Sequence, residues 1–324
     1  MQPNAVPGLH HVTAIAGDPE RNLEFYTGVL GLRFVKRTVN HDDTGTYHFY
    51  YGDGKGTPGT NITFFPWTAR GRAGSFGAGQ TEATAYLTES DNLDFWADRL
   101  GQKGIEYAWD DRFGDSLIRF DDPDGITLEI VASADVESAP DNPWEKSTVP
   151  ADRQLRGFQA VTLAVAEREP TEQVLARLGY EEVDREDDGE RTRHRYRTPA
   201  GEAGAIVDLV ETDRSRGRMG VGTVHHVAFV AADVATERAW REALSELGLR
   251  VTEIVDRKYF ESIYFREPGG VLFEIATKRP GFDDDEPIEK LGTQLALPEW
   301  LETDRERIEA QLPDVDFEGS VETL

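Results

Sequence analysis

A strand–helix–strand–strand–strand pattern recurs four times along the chain, and this repetition constrains the fold more than any single residue does. The first copy runs from Leu9 to about Trp67. Its helix, around Asp18–Tyr26, has an aspartate placed to cap and Pro19 at the first helical position, and is expected to stop at Gly28 or Gly31. Leu32–Thr38, Tyr47–Tyr51 and Thr60–Phe65 then read as strands, being rich in β-branched and aromatic residues. The second copy starts near Glu82–Leu87, has a helix around Asn92–Leu100 and closes with Ile126–Val131. The third starts at Phe158–Leu163, has a helix near Thr171–Leu178 and closes with Ala205–Val210. The fourth begins at Val224, has a helix near Val234–Leu247 and ends with Gly270–Ile275. The best shared signal is the turn before the last strand: Pro58-Gly59, Pro123-Asp124-Gly125 and Pro268-Gly269-Gly270.

The expected architecture is α+β, with four βαβββ modules paired into two curved-sheet domains. Modules one and two would form an N-terminal domain over 1–135, and modules three and four a C-terminal domain over 157–278. Between them 136–156, with Ala139-Pro140-Asp141-Asn142-Pro143, reads as a linker. The remainder, 279–324, reads as an acidic loop and a helix from Pro298 to Gln311.

Composition removes several chemistries. The chain has no cysteine, so disulfides, thiolate metal sites, iron–sulfur clusters and cysteine nucleophiles are excluded. A metal would have to be held by imidazole and carboxylate. With 61 acidic against 35 basic residues and a net charge of −26, the chain repels polyphosphates, so no nucleic-acid partner is expected. The acidic, lysine-poor composition suits concentrated salt, where repulsion is screened within a few ångströms, and hints at a halophilic cytoplasm. No apolar run approaches the roughly 20 residues of a membrane span, and the N-terminus lacks a signal-peptide pattern, so a soluble cytoplasmic protein is the expectation. The sequence leaves homo-oligomerisation open.

Chemistry concentrates at two doubled histidines, His10-His11 and His225-His226, at the starts of modules one and four. Six residues beyond the turn proline Pro268 lies Glu274; six beyond Pro58 lies Phe64. Modules two and three offer Glu129 and Asp208 at their ends but no histidine at their starts. Two imidazoles and one carboxylate form a facial triad that leaves coordination positions open for a substrate and O₂. A second carboxylate as fourth ligand would favour proton chemistry instead, and the apolar Phe64 counts against one. Strand alternation does not decide which member of each histidine pair points inward, because both strand faces are apolar. The competing account makes the histidines buried, hydrogen-bonded packing residues and the carboxylates solvent-facing. For His48 packing is the expected role, with contact to the site as the alternative, and His41 and His194 read as exposed or partly so.

Leu9-His10-His11-Val12-Thr13, Gly31 to Thr38, Gly56-Thr57-Pro58-Gly59-Thr60, Val224 to Phe229, Tyr259 to Arg266 and Pro268 to Glu274 together resemble the vicinal oxygen chelate superfamily of glyoxalases, bleomycin-resistance proteins and extradiol dioxygenases. Within it, the chain is most similar to hydroquinone-type ring-cleaving dioxygenases, over almost its whole length. The resemblance implies His11, His226 and Glu274 as ligands of Fe(II), with Mn(II) as the alternative. It implies Tyr264, Arg257, His10 and His225 beside the metal with catalytic roles, and Thr13 approaching the substrate pocket; Phe64 and His48 complete the candidate substrate contacts. The implied function is O₂-dependent cleavage of a hydroquinone or related phenolic ring, as in aromatic-compound degradation, with a small aromatic substrate as partner. The alternatives are a glyoxalase-type lyase or isomerase and a metabolite-binding protein without chemistry.

Overall fold

A computed structural model of the chain describes residues 3–68, 71–187, 189–199, 201 and 204–317. Module one supplies strands β1 (Leu9–Ala16), β2 (Arg33–Asn40), β3 (Asp43–Gly52) and β4 (Asn61–Pro66). Module two supplies β5 (Gln80–Thr88), β6 (Tyr107–Arg112), β7 (Asp115–Asp121) and β8 (Thr127–Ala132). Module three gives β9 (Phe158–Val165), β10 (Glu181–Asp187), β11 (Thr192–Arg197) and β12 (Ile206–Glu211); module four gives β13 (Thr223–Ala231), β14 (Val255–Asp256), β15 (Phe260–Arg266) and β16 (Leu272–Pro280). Each first strand is followed by one helix: α1 (Pro19–Leu23), α2 (Leu93–Gln102), α3 (Arg168–Leu178) and α4 (Val234–Glu246). The fold class is as expected from the repeats.

The pairing of modules is not sequential. Two eight-stranded sheets form, ordered β14-β15-β16-β13-β1-β4-β3-β2 and β10-β11-β12-β9-β5-β8-β7-β6. Modules four and one therefore share one sheet, and modules three and two the other, so the sheets do not follow the division of the chain into 1–135 and 157–278. The seam in each is an antiparallel pair of first strands, β1 with β13 and β5 with β9, whose unpaired edges satisfy one another.

Local signals explain the helices. Asp18 Oδ1 accepts from the backbone N–H groups of Glu20 and Arg21 at 3.0 and 2.9 Å, and Pro19 occupies the first turn. The helix runs past Gly28 as a π-helical stretch, Glu24–Val29, which buries Phe25 and Tyr26, and stops just before Gly31, at φ 69°, the second of the two expected ends. Gly179, at φ 95°, ends α3 in a left-handed turn that a side chain would strain. The fourth residue of each helix, Asn22, Trp96, Thr171 and Glu237, is buried. The helices back one face of each sheet and leave the other face to carry polar side chains. The expected helix from Pro298 to Gln311 is instead two short ones, α5 (Glu299–Glu302) and α6 (Arg305–Glu309), broken at Thr303-Asp304. No described helix is long and apolar enough to cross a membrane.

Candidate metal centre

The doubled histidines are β-bulges. Along the seam Leu9 faces Phe229 and His11 faces Ala228, so His10 is an extra residue in β1. Thr13 faces His226 and Ala14 faces Val224, so His225 is the matching extra residue in β13. A bulge lets two successive side chains reach one region, which plain alternation forbids. His11 and His226 then lie diagonally across the seam on the same face. Glu274 pairs with Ala228 in the parallel β13–β16 register, two residues beyond His226.

These three side chains meet. His11 Nε2 and His226 Nε2 are 3.1 Å apart, and Glu274 Oε2 lies 3.3 Å from the first and 2.8 Å from the second. They are 2 %, 5 % and 0 % exposed, and form the group able to hold a metal ion among the described residues. Donor atoms bound at about 2.1 Å and right angles lie about 3.0 Å apart, so the triangle fits one face of an octahedral ion.

Hydrogen bonding supports the same fit. Glu274 Oε1 accepts from Ser262 Oγ and, at 3.0 Å, from the Tyr264 hydroxyl, whereas Oε2 is buried without a hydrogen bond. The Thr277 carbonyl can only accept, so His10 Nε2 donates to it at 3.1 Å. Burial, reinforced by the neighbouring His11, pushes His10 down to about 3, and its Nδ1 therefore carries a lone pair. His11 Nδ1 donates to that nitrogen across 2.9 Å, so in a neutral His11 ring the lone pair sits on Nε2, which faces Glu274. A lone pair and an unpartnered carboxylate oxygen at this distance repel unless a cation lies between them. His225 and His226 repeat the Nδ1–Nδ1 contact at 2.8 Å, and burial and then His226 push His225 down to about 3. Burial alone would raise the Glu274 carboxyl, but positive charge on His11 and His226, when those rings are protonated, holds it well below the usual carboxylate range.

A cavity of about 470 Å³ opens over the triad. His48, Tyr50, Phe65, His225, Arg257, Phe260 and Tyr264 are among the residues on its wall. Arg257 Nε donates to the Tyr264 hydroxyl at 3.0 Å and Nη1 reaches Asp42 at 3.1 Å, so the guanidinium spans the cavity rim. Opposite, the Tyr50 hydroxyl and His48 Nδ1 are 2.9 Å apart, His48 Nε2 is 2.9 Å from Thr63 Oγ1, and Thr63 and Thr13 hydroxyls meet at 2.7 Å. Thr13 is thus tied to a buried chain instead of standing on the cavity wall.

Phe64 is not at the site. It is fully buried against Tyr26, at a ring distance of 4.5 Å, on the helix-backed face. Register identifies the residue that corresponds to Glu274: Thr63 pairs with Thr13 in β4–β1 as Glu274 pairs with Ala228 in β16–β13. The turn after Pro58 is one residue shorter than the turn after Pro268, and a one-residue shift in a strand reverses the face. A hydroxyl stands where a second carboxylate, the fourth ligand, would be, so the inference drawn from Phe64 passes to Thr63. Counting from the turn missed this. The same matching pairs Tyr50 with Thr63 and Tyr264 with Glu274, a correspondence that the His-x-Tyr alternation of β3 carries but does not announce. His41, expected outside the site, also lines the cavity.

Comparison with known proteins places the chain among related sequences and structures. The model of the Glyoxalase/Bleomycin resistance protein/Dioxygenase superfamily matches residues 8–130 and again 139–275. The chain is 45% identical to the "Putative ring-cleaving dioxygenase MhqO" of Bacillus subtilis, over 94% of this chain and 95% of that protein. It is 35% identical to the chlorohydroquinone/hydroquinone 1,2-dioxygenase of Sphingobium indicum, over 93% of this chain and 94% of that one. The crystal structure of a "putative dioxygenase" from Bacillus subtilis superposes with a TM-score of 0.91 at 43% identity, covering 97% of this chain and 98% of that one. Glyoxalase I from Zea mays, at 18% identity and a TM-score of 0.61 over 84% of this chain and 92% of that one, shares the fold.

Proposed function

The chain belongs to the glyoxalase/bleomycin resistance protein/dioxygenase superfamily, and from that premise we propose that it is an Fe(II)-dependent dioxygenase that opens a hydroquinone or related phenolic ring with O₂. The observation that carries the reading is the asymmetry of the donor set: two imidazoles and Glu274 converge, while Thr63 stands at the fourth position. Three protein ligands leave more of an ion's coordination sphere open than four do. The names of the relatives above point to the same reaction class.

His11, His226 and Glu274 would hold the ion. When bound, Fe(II), or Mn(II) in its place, acidifies a phenol hydroxyl and connects ring and O₂ electronically. The remaining groups act on the substrate and on the ligands. Tyr264 holds Glu274 Oε1 by donating to it, and burial, together with the Glu274 charge, keeps its own hydroxyl protonated. Arg257 fixes Tyr264 and presents positive charge to a phenolate at the rim. His10 fixes the tautomer of His11. His225 stands on the wall as a neutral ring whose Nδ1 meets His226 and whose Nε2–H is left to donate to an oxygen of the bound substrate, and the His48–Tyr50 pair offers a hydroxyl to the far side of an aromatic ring. Phe65 and Phe260 supply flat apolar contact and exclude water.

Anaerobic reconstitution with Fe(II) or Mn(II), followed by O₂-uptake measurements on a panel of hydroquinones and catechols, tests the proposal. Stoichiometric O₂ uptake with loss of the aromatic absorbance is expected. Turnover without O₂ consumption would move the protein to the glyoxalase-type chemistry, and ligand binding without turnover to the non-catalytic reading.

A further inference from the structure

Next to the metal cavity lies a second one of about 410 Å³, and the two share His225 and Leu272 in their walls. Its other walls include Arg216, Arg218 and Arg266, in a protein whose net charge is −26. These arginines are exposed; Arg216 and Arg218 stand two residues apart in the segment between β12 and β13, and Arg266 is the last residue of β15. Arg266 Nη1 donates to the Gly270 carbonyl at 2.6 Å, and Arg216 Nη2 lies 3.6 Å from the point where a Cβ on Gly270 would sit. Arg218 reaches only the Ala73 carbonyl, at 3.5 Å. No ion pair to a carboxylate among the described residues involves any of the three, whereas Arg257 beside the metal cavity has one. Backbone oxygens do not neutralise guanidinium charge, so like charges converge here with no counter-charge.

We infer that this arginine-lined cavity is an anion subsite that takes the carboxylate of a ring-derived acid, adjoining the metal cavity through His225. The inference rests on the ring-cleavage reading. Insertion of both atoms of O₂ across a ring C–C bond beside a phenolic carbon breaks that bond. The phenolic carbon becomes a carboxylic acid and the other carbon a carbonyl, with the ring as the only reductant. A carboxylic acid with a value near 4 is ionised at neutral pH, so a neutral substrate becomes an anion at the moment of reaction. A surface as acidic as this one repels that anion everywhere except at such a patch. A carboxylate carried by the substrate itself would be recognised by the same chemistry.

The test titrates the Fe(II)-loaded protein anaerobically with cis,cis-muconate, a six-carbon dicarboxylate with the skeleton of an opened ring. Wild type is expected to bind it, more weakly as salt rises, and the Arg216→Gln/Arg218→Gln double variant to bind it about tenfold or more weakly with metal content intact. Arg250→Gln, which removes an exposed charge elsewhere, controls for general electrostatics and is expected to bind like wild type. Two turnover arms separate the sources. Muconate inhibition relieved in the double variant assigns the subsite to product; a KM advantage of 2,5-dihydroxybenzoate over hydroquinone that vanishes in the double variant assigns it to substrate. Equal muconate binding by wild type and double variant, or none by wild type, overturns the subsite. Failure of the ring-cleavage reading shows separately, as absence of O₂ uptake with every ring while muconate still titrates.

Discussion

At four matching register positions, the sheet of modules one and four carries His11, His226, Thr63 and Glu274, and the sheet of modules two and three carries Ala83, Ala160, Glu129 and Asp208. Even the bulges are repeated: Glu82 and Gln159 are the extra residues where His10 and His225 stand in the first sheet. At these four positions the second sheet therefore has two carboxylates and no imidazole. It meets their charge with arginine. Arg112 and Arg119 reach Glu129 at 2.7 and 3.2 Å, and Arg195 clasps Asp208 through two bonds of 2.9 Å. The two alanines leave space that these long side chains fill. One plan thus gives two outcomes for a buried carboxylate: an internal cation closes the site, while an oxygen left without a hydrogen bond, as in Glu274, leaves it chemically unfinished.

The largest contrast is obtained by removing the carboxylate from each sheet. Glu274→Ala is expected to lower metal affinity by more than about 100-fold and to abolish turnover, while the fold survives. Glu129→Ala leaves Arg112 with only the half-exposed Asp110 as partner and is expected to cost about 1–3 kcal/mol of stability with metal content unchanged. Metal analysis and denaturant unfolding on both variants check this. Full metal content in Glu274→Ala would remove the distinction between the sheets. Thr63→Glu moves the first sheet the other way, toward four ligands: metal should bind at least as tightly, and O₂ uptake should fall about tenfold or more.

The repeats and the four helices were legible in the sequence because each depends on local signals: caps, turn glycines and the strand starts. Which histidine of each pair turns toward Glu274 was not, because it depends on the two bulges; only the family resemblance pointed to His11 and His226. The pairing of module one with four was legible only through the two histidine pairs, since nothing local marks which first strands adjoin. Phe64 shows where such reading fails. Distance from a turn was counted in residues, but the turn differs in length by one, and strands reverse their faces with each residue. The second arginine-rich face was missed for another reason. Glu129 and Asp208 stood out only as strand-end carboxylates without a histidine partner, and their arginines, Arg112 on β6 two strands away and Arg195 on the adjacent β11, are brought to them only by the sheet's register.

A smaller contrast lies within the first sheet, between Tyr264 and Tyr50, which occupy matching positions opposite Glu274 and Thr63. Tyr264→Phe removes a donor to the ligand carboxylate and is expected to lower activity or metal affinity about 10–100-fold. Tyr50→Phe removes a hydroxyl from His48, not from a ligand. Its effect is expected in KM for ring substrates with metal affinity unchanged, measured by steady-state kinetics alongside metal titration. An equal loss of metal in both would mean that the two halves of the sheet support the centre alike.

Behind the sheets, the matching helix positions hold Thr171 and Glu237, both fully buried. Thr171 donates to Glu267 at 2.7 Å, whereas neither carboxyl oxygen of Glu237 has a hydrogen bond among the described residues. Burial, then the charges of Glu261 and Glu274, push Glu237 up to about 8. The folded value exceeds the unfolded one of about 4.3, so the stability linked to this proton is complete below that pH and is lost as pH rises through about 8. Glu237→Gln keeps the shape and has no proton to lose. Unfolding midpoints of the two proteins should run parallel below pH about 4 and diverge above it, the variant becoming more stable by about 1–2 kcal/mol at alkaline pH. Thr171→Val, at the corresponding place behind the other sheet, should shift stability by a similar amount with no such divergence, because Thr171 does not titrate. Parallel curves for Glu237→Gln across the whole range would mean that its carboxyl is charged in the fold and that the backs of the two sheets are electrostatically alike.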